Sequence, residues 1–151
     1  VYKRQFNDKA IQIIWQTGKS YFATNQPTFG FVSQFIEKME TVYAAADIII
    51  SRAGAIAITE LCIIGKPVIL IPSPNVAEDH QTKNAMALVE KKAALLIKDK
   101  DAQKDLWPGI YSLLINMNLA DELRKNIKSL AKPEAAKAIV DEVFKLTKSL
   151  I

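Results

Sequence analysis

Between residues 47 and 97 the chain alternates short β-branched runs with stretches of helical pattern. Residues 47–51 ("DIIIS") and 68–71 ("VILI") are too short for helices and rich in Ile and Val, so both read as buried strands. Residues 55–64 lie between them and read as a helix, stopped at Gly65 with Pro67 following. Residues 78–91 read as a second helix and 93–97 as another strand. Upstream, 11–16 ("IQIIWQ") and 28–32 are strand candidates. Ser33 is the expected N-cap of a helix carrying Phe35, Ile36, Met39, Val42 and Tyr43 through Ala46. From Leu106 onward the pattern is helical in three pieces, broken near Asn118 and at Lys132-Pro133.

Buried strands alternating with helices predict an α/β fold: a doubly wound, Rossmann-like parallel sheet covered on both faces. Ligands in such folds sit at the C-terminal ends of the strands. Those ends are residues 16–19, 32–35, 51–55 and 72–84. With 151 residues, half of them apolar, the chain suits one domain, 1–151, with a helical segment at 106–151.

Composition excludes several classes. No apolar run reaches the roughly 18–20 residues a membrane-spanning helix needs. The opening "VYKRQFNDKA" has no apolar stretch after Lys3 and Arg4, so it does not read as a signal peptide. Cys62 is the only cysteine, which excludes an internal disulfide and fits a reducing compartment; its apolar neighbours mark it as a small buried hydrophobe. The net charge is +4. Much of the excess lies on lysines of the C-terminal third that read as solvated helix faces, although a basic surface also suits anionic lipid or a phosphate-bearing substrate. Interleaved aromatics are absent, so no nucleic-acid partner is expected.

Three stretches could carry chemistry. Residues 51–55 ("SRAGA") follow a strand and open a helix. Small residues there admit a ligand to the backbone, and first-turn N–H groups favour a phosphate or pyrophosphate; a tight turn needing small residues for packing fits equally well. Glu60 is the only charge between Arg52 and Lys66, in a helix of small and apolar residues that looks ready for burial. A buried carboxylate needs partners, which a sugar diol or Arg52 could supply. Residues 75–85 ("NVAEDHQTKNA") hold the lone His80, a possible general base or a surface residue, and place Gln81 and Asn84 about one turn apart. Asp99-Lys100-Asp101 matches a metal-holding D-x-D only weakly and reads as a solvated turn. No zinc-like set, P-loop, nucleophile elbow or G-x-G-x-x-G is present, and no bound metal or cofactor is expected.

The stretch "AAADIIISRAGAIAITELCIIGKPVILIPSPNVAEDHQTKNA", extended by "IIWQTGK" and "FVSQFIEKM" upstream and "LVEKKAALLI" downstream, resembles the C-terminal domain of glycosyltransferase family 28. The resemblance implies the donor half of an inverting, two-domain GT-B N-acetylglucosaminyltransferase that converts lipid I to lipid II in peptidoglycan synthesis. It implies UDP-N-acetylglucosamine (UDP-GlcNAc) as donor. Glu60 would bind the ribose hydroxyls, the Ile36 backbone would meet the uracil edge, and Ala53, Gly54 and Ala55 would line the nucleotide-sugar cleft. Gln81 falls where the family has one of two adjacent glutamines near the GlcNAc and phosphates. His80 replaces the other, and Asn84 completes the Q-x-x-N-A run. Arg52 is shared, with either a phosphate-binding or a supporting role. The resemblance further implies that lipid I, the general base and the main membrane patch belong to an N-terminal domain, with no catalytic residue among these 151. The chain would begin after a Gly-Gly-Ser phosphate loop, inside the first helix, and lack one strand. The whole enzyme would sit on the cytoplasmic face of the inner membrane. Alternatives are another UDP-sugar enzyme of GT-B fold (an epimerase or a split two-subunit transferase) and a non-catalytic nucleotide-binding module.

Overall fold

The computed structural model describes residues 11–19, 21 and 30–148. The first ten residues, where the resemblance places the rest of a first helix, and Thr28-Phe29 of the second strand candidate lie outside the described residues. The chain forms two compact units, Val1–Asp47 and Ile48–Ile151.

In the first unit, β1 (Ile14–Gln16) pairs in parallel with β2 (Phe31–Ser33), Trp15 opposite Val32. The helix expected after Ser33 begins later, as α1 (Met39–Ala45), with Lys38 at its N-cap and no side-chain cap. Ser33 is the last residue of β2 instead. Two hydrogen bonds explain the delay. The Ser33 hydroxyl donates to the Phe35 carbonyl (2.6 Å), and the Ile36 N–H donates to Gln16 Oε1 (2.8 Å). The first engages a carbonyl that a helix started at Ser33 would need for its ladder, and the second takes the N–H that a Ser33 cap would have bound.

The second unit has a three-stranded parallel sheet in the order β3 (Ile49–Ser51), β4 (Val68–Leu70), β5 (Leu95–Leu96). Central β4 is wholly buried, as its unbroken apolar run requires. Helix α2 (Ala55–Ile64) spans the predicted residues and ends at Gly65. That glycine is left-handed (φ +66°), and its N–H bonds to the Leu61 carbonyl (3.0 Å). Helix α3 (His80–Val89) follows a 3-10 turn (Ala77–Asp79). After β5 and a second 3-10 turn (Asp99–Asp101) come α4 (Ala102–Ile115), α5 (Met117–Ser129) and α6 (Ala135–Lys148). The first helix break falls at Asn116, slightly before the expected Asn118. The Asn116 side chain accepts from the Leu119 N–H (3.0 Å) and caps α5.

The core of this unit joins β4 to Leu61 of α2, Ile110 and Leu113 of α4, and Leu123 and Ile127 of α5. Helix α2 packs on α5, α4 on α5, and α3 on β5. Gly109 lets α4 come close to the sheet: a Cβ there would stand 3.2 Å from Ile97 Cδ1 and 3.4 Å from Ile69 Cδ1. Helix α6 is different. Its described side chains are exposed, including Ile139, Val140, Val143, Phe144 and Leu146. Among the described residues no helix is long and apolar enough to cross a membrane.

Candidate donor-binding site

Parallel pairing brings the C-terminal ends of β3, β4 and β5 to one edge of the sheet. Polar side chains stitch the turns beyond those ends together. Gln81, in the first turn of α3, accepts through Oε1 from the Ser73 N–H (2.9 Å) and from the Ala53 N–H (3.2 Å). One turn on, Asn84 Nδ2 donates to the Ala53 carbonyl (3.1 Å). Ala53 is fully buried and its peptide groups are gripped on both sides. The i,i+3 spacing that put Gln81 and Asn84 on one face therefore holds them against the β3–α2 turn.

Arg52 makes the next tie. One guanidinium nitrogen, Nη1, donates to the carbonyls of Ile71 (3.2 Å) and Pro72 (3.4 Å), beyond β4, and pairs with Asp99, beyond β5. Asp99 had the sequence signature of a solvated turn. Its engagement with Arg52 could be found only from the strand order, which places the ends of β3 and β5 on either side of β4.

Gly54 then caps α2. Its backbone is extended (φ −67°, ψ 146°), a conformation open to any residue, and a Cβ built on it meets nothing within 4 Å. Neither backbone geometry nor packing within the chain requires a glycine there. Packing does account for Ala53. The two explanations for a small-residue turn thus divide between adjacent positions, and the empty space lies in front of Gly54. No side chain caps α2 and no acidic residue occupies its first turn. The N–H groups of that turn present the positive end of the helix dipole.

Glu60 corrects the sequence expectation of burial. It lies in the second turn of α2 and is exposed. Helix α2 buries only Leu61 and Cys62, whereas Ile56 is 79% and Ile63 51% exposed. An all-apolar helix is read as buried all round; here one side of it faces outward, and Glu60 stands on that outward surface. His80 opens α3 with an exposed side chain, its Nε2 3.6 Å from Glu78 Oε2. Glu78 and Asp79 reach it through left-handed backbone (φ 52° and 53°), an uncommon conformation for residues with a Cβ.

The structure thus brings Arg52, Ala53, Gln81 and Asn84 into one hydrogen-bonded cluster, with Gly54 and Ala55 following Ala53 along the chain. Glu60 is further along α2, and His80 neighbours Gln81 without sharing its contacts. Ile36 belongs to the first unit, where its N–H is taken by Gln16. Among the described residues, no group of three His, Cys, Asp or Glu side chains is placed to hold a metal. Burial pushes the Cys62 thiol above its ordinary pKa, opposed by the smaller pull of Lys91.

Parallel strands, a small-residue turn opening a helix, and a stitched C-terminal edge define a Rossmann-like α/β domain. The chain belongs to glycosyltransferase family 28: the model of that family's C-terminal domain matches residues 2–143. A UDP-N-acetylglucosamine–N-acetylmuramyl-(pentapeptide) pyrophosphoryl-undecaprenol N-acetylglucosamine transferase of Flavobacterium psychrophilum is 52% identical over 143 residues. That match covers 92% of this chain and 39% of the relative. The same-named protein of Parabacteroides distasonis is 49% identical, again over 39% of its length. The crystal structure of Acinetobacter baumannii MurG superposes with a TM-score of 0.74 at 26% identity, covering 94% of this chain and 46% of that one. The chain therefore spans about two fifths of the length of these curated relatives.

Proposed function

We propose that residues 1–151 form the UDP-GlcNAc-binding half of an inverting N-acetylglucosaminyltransferase that makes lipid II from lipid I. The observation that carries this reading is the turn at Ala53–Gly54. The chain fixes Ala53 by two hydrogen bonds and by burial, and leaves Gly54 facing open space at a helix N-terminus. A diphosphate fits that arrangement through its charge and its need for backbone N–H donors. The names of the relatives specify the donor and the undecaprenyl-linked muramyl acceptor of those proteins.

In this reading the first turn of α2 receives the diphosphate, and the exposed Glu60 carboxylate accepts from the two ribose hydroxyls. Gln81 spends its oxygen on the backbone, which leaves its Nε2 amide as the donor to sugar or phosphate. The assignment of the Ile36 backbone to the uracil edge is part of the same proposal, as is a contact from His80. This half positions the anomeric carbon for a single displacement; the acceptor site and general base belong to the rest of the relatives' length. Attachment to the cytoplasmic face of the inner membrane likewise belongs to the whole enzyme.

The test is an amide-shift titration of labelled chain with UDP-GlcNAc, UDP and ADP. Shifts at Ile36, residues 51–60 and residues 80–84 with the uridine ligands alone are the expected result. Equal response to ADP, or shifts elsewhere, would sink the reading.

A further inference from the structure

We infer that Asp99 is a positioning residue for the donor turn, acting through Arg52, and that Arg52 is a strut of the site rather than a phosphate ligand. The inference rests on the donor-binding reading of residues 51–55. A guanidinium that braces a fold is held by acceptors of the chain itself and by a counter-charge. Here Nη1 is directed at the Ile71 and Pro72 carbonyls and at the Asp99 carboxylate. These are backbone and side-chain acceptors from the two neighbouring turns of the sheet edge. The carboxylate also offsets the positive charge that an incoming diphosphate would seek.

The consequence follows along the chain. Arg52 immediately precedes Ala53, the residue gripped by Gln81 and Asn84. Gln81 at the same time holds Ser73, one residue beyond Pro72. Arg52 and Gln81 therefore cross-brace the same two turns at adjacent positions, Arg52–Pro72 and Ala53–Ser73. Asp99 adds the third turn to the brace from beyond β5. Removing the Asp99 charge frees the guanidinium to leave the carbonyls and loosens the turn that carries Gly54. The pair is partly exposed, 55% and 36% for the two side chains, so its effect falls on local position more than on global stability.

Two measurements on the 151-residue chain decide this. The first needs no ligand: amide hydrogen exchange of Ala53 and Ser73. Asp99→Asn and Arg52→Met should each accelerate both amides about threefold or more, with Asp99→Glu close to wild type and the α5 core amides unchanged. The second is the affinity for UDP-GlcNAc. Asp99→Asn should weaken it about threefold, and Arg52→Met/Asp99→Asn should be no weaker than Arg52→Met alone, because both changes break one brace. A direct phosphate contact predicts the opposite for Asp99→Asn, which would then bind more tightly by exposing the guanidinium. Tighter binding, additive losses, or unchanged exchange would each overturn the inference. If wild-type chain binds no uridine ligand, the donor reading fails, while the exchange arm still decides whether Asp99 positions the turn.

Discussion

The side-chain oxygen of Gln81 stands 3.2 Å from the backbone nitrogen of Ala53 and accepts its hydrogen while also holding Ser73. The glutamine thereby joins two turns that are 20 residues apart in sequence. Its two amide ends have separable roles. Gln81→Glu keeps an acceptor for both N–H groups and loses the amide donor, so it should fold normally and bind UDP-GlcNAc less tightly. Gln81→Leu removes the acceptor as well. Its unfolding free energy should fall by about 1–3 kcal/mol through two unmatched backbone donors. Denaturant unfolding and calorimetric titration of the two variants separate the roles.

Gly54→Ala tests the open space directly. The protein offers no obstacle to the added methyl, and the cost of alanine at an N-cap, about 0.5–1 kcal/mol, is opposed by the smaller entropy of its unfolded chain, about 0.4–1 kcal/mol, so net stability should change little. Affinity for UDP should drop about tenfold, or ~1.4 kcal/mol, if that space belongs to the diphosphate. Wild-type affinity in Gly54→Ala would assign the space to bulk water.

Glu60→Ala should leave thermal stability nearly unchanged, because the carboxylate is exposed. Loss of one or two charge-assisted bonds to ribose should weaken UDP and UDP-GlcNAc alike, by about tenfold or more. A 2′-deoxy-UDP ligand should lose less on going from wild type to Glu60→Ala than UDP does. Equal losses for both ligands would remove the diol from the argument.

Cys62 should be inert to thiol reagents in the folded chain at pH 8 and react at once in denaturant, since burial disfavours its thiolate. The sign of the pH effect follows from the raised folded pKa. The group's contribution to stability is complete below the pKa of the unfolded thiol. As pH rises past that value the unfolded chain releases a proton that the folded chain retains, and stability falls until the folded pKa is passed. Cys62→Ser should flatten the alkaline limb of a stability-against-pH curve.

The sequence predicted the order of strands and helices from residue 47 to 97 well, because β4 is buried on both faces and shows it as an unbroken apolar run, and because Gly65 and Pro67 punctuate α2 unmistakably. Spacing also placed Gln81 and Asn84 on one face, although not that both would bind the backbone of Ala53. Three features were less legible. The start of α1 depends on Gln16, distant in sequence, which captures the Ile36 N–H. The exposure of Glu60 depends on which side of a uniformly apolar helix faces the core, and a helix without periodicity carries no record of that. Asp99 gained its partner from strand order alone, across a sheet that no local pattern describes.

Helix α6 marks a natural place to shorten the polypeptide. The last buried core side chain before it is Ile127, and residues 132–147 are exposed throughout. A version ending near Ala131 keeps every buried side chain among the described residues of the second unit and every hydrogen bond of the sheet edge. It also sheds the outward-facing Ile139, Val140, Val143, Phe144 and Leu146, surface that encourages self-association in concentrated solution. The shorter chain is the better starting material for crystals soaked with sugar nucleotides.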